Sequence, residues 1–134
     1  MELSELVKQS LKEKKQQAKM YIVAAGDSLS SDIYDSGMLV PEVQIFMSRS
    51  FFRDYNKLKH GTTSVRKPDP FELWKALYPY LVGRGLKDQN QNQIDEPIKE
   101  LKNWGKPVQC YYTDKKANGD VILRVKALYD PTWN

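Results

Sequence analysis

Cysteine occurs once in this chain, at Cys110, and histidine once, at His60. One cysteine excludes an internal disulfide and a cysteine-built zinc site. One histidine leaves little material for a metal cluster or for a base beside a nucleophile. Long apolar runs are missing, so no segment reads as a membrane-spanning helix. The opening residues Met1-Glu2-Leu3-Ser4-Glu5-Leu6 lack the basic leader and apolar stretch of a secretory signal. These features lead us to expect a soluble, cytoplasmic protein. Internal repeats and long low-complexity runs are absent as well.

What is present suits one ordinary domain. The 134 residues, 40% hydrophobic and 11% aromatic, are enough for a single core spanning 1–134. The net charge of +4 is unevenly placed. Residues 21–48 hold Asp27, Asp32, Asp35 and Glu42 with no Lys or Arg. Residues 49–67 hold Arg49, Arg53, Lys57, Lys59, Arg66 and Lys67 against Asp54 alone. An acidic block therefore precedes a basic one, which implies an oriented field if the fold keeps them apart.

Residues 2–19 read as an amphipathic helix, with Leu3, Leu6, Val7, Leu11 and Ala18 on one side and lysines on the other. It is the element best able to stand at the periphery or to pair with another copy. Tyr21 to Ala25 read as a short strand ended by Gly26-Asp27-Ser28. For residues 38–58 we favour a helix opened by Pro41-Glu42, because Val43, Phe46 and Met47 recur at helical spacing. A strand from Met38 to Met47 is the alternative. Residues 59–68 read as an exposed basic loop.

Asp69, Pro70 and Glu72 make a strong helix start: a cap, a first-turn proline and a capping-box acid. Phe71, Trp74, Leu77 and Leu81 then supply the apolar stripe, and Pro79 kinks or ends the helix. A polar loop over 87–93 and a short helix over 95–104 follow. The last third reads as a hairpin of Val108–Thr113 and Val121–Leu128, with Asn118-Gly119 at the turn. In its second strand Val121, Leu123, Val125 and Ala127 share the inner face, leaving Arg124 and Lys126 on a basic outer one.

Two strings resemble catalytic motifs. Gly26-Asp27-Ser28-Leu29, directly after a strand, resembles the nucleophile block of the GDSL esterases and lipases. That resemblance implies a serine nucleophile completed by a distal Asp-x-x-His. Here Asp130-Pro131-Thr132-Trp133 has Trp in the histidine's place, and His60 has Lys57 three residues before it. The likeness spans four residues, which a turn explains equally well. Pro68-Asp69 with Asp114-Lys115-Lys116 resembles the spacing of metal-dependent nucleases, yet Asp69 is a helix cap and Asp114 belongs to the hairpin loop. We expect no catalytic residue, metal site or cofactor.

The order helix, turn, short helix (Ile98 to Gly105), hairpin resembles the winged helix-turn-helix, with Lys115 and Lys116 on the wing. The predicted strands also fit a small OB-type barrel, with Arg124 and Lys126 following a phosphate backbone. Tyr111 or Tyr112 would stack on bases, and since neighbours on a strand alternate, at most one faces outward. Both readings use the stripe of Arg49, Arg53 and Lys57, extended by Lys59, Arg66 and Lys67.

The sequence thus leads to an α+β domain, winged-helix-like or OB-like. Its expected role is non-enzymatic nucleic-acid binding, to DNA or RNA and preferentially single strands. The alternative is a protein-interaction adaptor or inhibitor, using the acidic 21–48 segment and the N-terminal helix, the latter also serving a homodimer.

Overall fold

Alternating apolar residues build the sheet, and among the described residues three capped or amphipathic helices cover one of its faces. The structure, a computed structural model, describes residues 2–12, 17–29, 39–81 and 108–127. In chain order its elements are α1 (Leu3–Lys12), β1 (Met20–Leu29), β2 (Leu39–Met47), α2 (Arg49–His60), α3 (Pro70–Leu77), β3 (Val108–Thr113) and β4 (Val121–Ala127). A single 3₁₀ turn, Tyr78–Tyr80, follows α3. This is an α+β fold. The polar loop at 87–93 and the short helix at 95–104 lie outside the described residues.

The four strands form one antiparallel sheet in the order β1-β2-β4-β3. Registers place Val43 opposite Val125, Ile45 opposite Leu123 and Met47 opposite Val121. All six side chains are buried. Met20 and Ile22 join them from β1, and Ala127 completes the inner face of β4. Helix α1 seals this face with Leu6 and Val7, α2 with Phe51, Phe52 and Tyr55, and α3 with Leu73, Trp74 and Leu77. A buried side chain of this size stabilises the fold by about 2 kcal/mol.

The sheet overturns the helix favoured for residues 38–58. Residues Leu39–Met47 are strand β2, and the helix begins only at Arg49. Val43, Ile45 and Met47 also satisfy a period of two, and pairing on both sides of β2 selects that period. Pro41 is tolerated because the pairing with β4 starts at Glu42, one residue beyond it. Gly26-Asp27-Ser28 likewise does not end β1. The strand runs on to Leu29, with Gly26 opposite Glu42 and Ser28 opposite Val40. Helix α1 ends at Lys12, and residues 17–19 are not helical.

Neither specific architecture is confirmed. The β3–β4 hairpin is no free wing, because β4 pairs with β2 along its other edge. The strands expected for a barrel do share one sheet, with β1 and β3 as its outer members.

The start of α3 follows its sequence signature. Asp69 accepts hydrogen bonds from the amides of Phe71 and Glu72 at 3.1 and 3.2 Å, with Pro70 in the first turn. The helix stops at Leu77, just before Pro79. Phe71 departs from the expected stripe. It is 44% exposed while Leu73, Trp74 and Leu77 point inward.

Candidate nucleic-acid interface

Local chemistry fixes the basic stripe on α2. Ser48 caps the helix by accepting from the Phe51 amide at 3.2 Å. Gly61 ends it in the left-handed conformation (φ 71°), its amide bonded to the Lys57 carbonyl. Phe51, Phe52 and Tyr55 take the inner face, so Arg49, Arg53 and Lys57 are exposed in a row. Lys59 continues the positive charge through the last turn, where the helix dipole favours it. The one carboxylate of this segment, Asp54, forms an ion pair with Lys19.

The loop after α2 folds back along it. Asn56, 5% exposed, donates its side-chain amide to the carbonyls of Ser64 and Arg66 at 2.7 and 2.8 Å. Tyr112 ties the far end by donating its hydroxyl to the Pro68 carbonyl at 2.6 Å. The loop therefore separates two open grooves. One, of about 450 Å³, is lined by Ser48, Arg49, Ser50, Arg53, Thr63, Val65 and Asp120. The other, of about 430 Å³, is lined on the loop side by Thr62, Ser64, Arg66 and Lys67 and closed by Asn56, His60, Pro68 and Asp69. From Thr62 to Arg66, alternate loop residues face alternate grooves. Lys67 also lies 5.4 Å from the centre of the Phe52 ring.

The hairpin loop docks beside the start of α2. Asp120 accepts from the Arg49 amide at 3.0 Å and is itself held by Asn118. Gly119 (φ 96°) lets the turn approach so closely that a Cβ there would lie 3.2 Å from the Arg49 side chain. Exposed Lys115 and Lys116 stand on this loop, at the end of the stripe where Arg49 lies.

The outer sheet face differs from the expected basic one. Glu42, 6% exposed, accepts from Arg124 Nε at 2.9 Å and from its Nη2 at 3.2 Å. Lys126 Nζ, on a residue 7% exposed, lies 3.9 Å from the same carboxylate. The bond from Glu42 raises the Arg124 pKa, against the opposing effect of burial. Both sheet cations are thus engaged by Glu42, Lys126 from a buried position and Arg124 from a half-buried one. Tyr111 and Tyr112 do point to opposite faces. Tyr111 lies 5.9 Å from the Arg124 guanidinium, whereas Tyr112 packs edge-on to Phe52 within the core. Sequence reading missed the pairing of Glu42 and the stacked rings of Tyr21 and Phe46, 4.6 Å apart. Both depend on which strands are neighbours.

Leu6 and Val7 of α1 are buried in the core, and Leu3 and Leu11 pack against it. Glu42 is buried, and Asp32 and Asp35 lie outside the described residues.

The catalytic resemblances gain no geometry. Ser28 stands within a paired strand rather than on a sharp turn. The Asp69 carboxylate is bonded to α3 amides, and Asp114 sits in the hairpin turn. Burial pushes the Cys110 thiol up to about 12, with the charge of Asp69 adding to the effect. Among the described residues no cluster of His, Cys, Asp or Glu could hold a metal ion, and no helix is long and apolar enough to cross a membrane. No family model matches the sequence, and no curated protein or solved structure is found similar to it.

Proposed function

We propose that this protein binds nucleic acid without acting on it chemically. One observation carries the reading. Arg49, Arg53, Lys57, Lys59, Arg66, Lys67, Lys115 and Lys116 form no ion pair among the described residues, while Arg124 and Lys126 do. Arg49 and Arg53 line one of the two grooves and Arg66 and Lys67 the other, with Lys57 and Lys59 on the same helix and Lys115 and Lys116 on the docked hairpin turn. Charges held apart in this way attract phosphates along a path, and neutralising each phosphate releases counterions. Such contacts orient a backbone without reading sequence. Sequence-independent binding is therefore the expected mode.

Fluorescence anisotropy with labelled mixed-sequence DNA and RNA, single and double stranded, tests this across a salt series. Affinity should fall steeply with salt, with a logarithmic slope near −0.7 per phosphate contact on single strands. Folded protein that binds none of the four at low salt would overturn the proposal.

A further inference from the structure

Phe71 is the one large hydrophobic side chain exposed among the described residues. The fold does not need its ring. The α3 cap uses the Phe71 backbone amide, and the core is supplied by Leu73, Trp74 and Leu77. Its position is next to the basic groove. The lining residues Arg66, Lys67, Pro68 and Asp69 run directly into α3, and the Asp69 carboxylate is 3.1 Å from the Phe71 amide. Lys75 lies 4.9 Å from the ring centre and 2.9 Å from Glu72. In sequence Phe71 thus stands between the groove cations Arg66 and Lys67 on one side and Lys75 on the other, and the Lys75 ammonium lies over the ring and is paired with Glu72.

We infer that Phe71 is a stacking platform for an unpaired base of a single strand whose phosphates follow Arg66 and Lys67. This rests on the nucleic-acid reading above and adds the class of polymer. An exposed aromatic face beside a phosphate path accepts any base, because every base has a flat π surface. A duplex keeps those surfaces stacked inside itself and offers Phe71 nothing. The arrangement thus selects single strands while staying indifferent to sequence.

The test compares a mixed-sequence single strand, an abasic strand of equal length and a duplex, all by anisotropy at one salt concentration. Wild-type protein should bind the intact single strand about tenfold more tightly than the abasic one. Phe71→Ala should fold normally, because the ring is exposed and Ala favours helix. It should bind the intact strand only as well as the abasic strand, with the salt slope unchanged. Phe71→Trp should keep tight binding, and its indole emission should change when the intact strand is added. Unaltered affinity in Phe71→Ala, or equal wild-type affinity for intact and abasic strands, would overturn the stacking role and leave the phosphate contacts standing. Absence of wild-type binding to all three polymers would overturn both.

Discussion

The Asn56 side-chain amide donates to the Arg66 carbonyl at 2.8 Å, and that bond holds the basic loop against α2. Its second hydrogen bonds the Ser64 carbonyl. Asn56→Ala removes both and leaves two carbonyls without these donors. A loss of about 1–3 kcal/mol in stability is expected, read from urea denaturation. Amide exchange over residues 62–67 should quicken, and nucleic-acid affinity should drop although no cation was changed. Unchanged exchange in that loop would remove Asn56 from its positioning role.

Arg53 and Lys57 are exposed and form no ion pair among the described residues. Reversing either charge to Glu should alter stability by less than about 0.5 kcal/mol. Each reversal should weaken binding across all sequences and reduce the salt slope by about one contact. A folded double variant with wild-type affinity would place the polymer elsewhere.

Glu42 answers two cations from inside the fold. Glu42→Ala leaves the buried Lys126 and the half-buried Arg124 without their shared carboxylate. A destabilisation of about 3 kcal/mol or more is expected by thermal denaturation. A loss below about 1 kcal/mol would mean that water already screens the cluster.

Cys110 and Tyr112 predict a fall in stability at alkaline pH. Burial raises both folded-state pKa values, Cys110 from an ordinary 9 to about 12 and Tyr112 upward from 10. The unfolded chain therefore loses these protons first. Their contribution is fully present below pH 9 and declines as pH rises from 9 towards 12. Cys110→Ala should flatten the first part of that decline. In the native protein the thiol should resist iodoacetamide at pH 8 and react once urea unfolds the chain.

Local signals in the sequence were reliable where the cause is local. Asp69 with Pro70 marked the start of α3, and Asn118-Gly119 marked the hairpin, because capping and turn chemistry involve residues within four positions. The row of Arg49, Arg53 and Lys57 was legible for the same reason. The segment 38–47 was not, since Val43, Phe46 and Met47 satisfy one period while Val43, Ile45 and Met47 satisfy another. Only β1 and β4 on either side decide between them. The engagement of Arg124 and Lys126 was hidden because Glu42 lies some eighty residues away in sequence. Spacing alone puts Phe71 inward, whereas the helix turns its 73, 74 and 77 positions to the core.

The strand order has a consequence for synthesis. β1 and β2 are neighbours in sequence and in the sheet, and so are β3 and β4, but β2 meets β4 only through Met47 opposite Val121 and the pairs beyond. As the chain leaves the ribosome, β2 keeps a bare edge until residues 121–127 emerge. That edge carries unpaired backbone groups beside the apolar inner face of Val43, Ile45 and Met47, and it is open to pairing with other chains. A nascent chain halted before β4, or a truncated product ending there, should therefore aggregate and call on chaperones, whereas release of the final hairpin closes the sheet in one docking step.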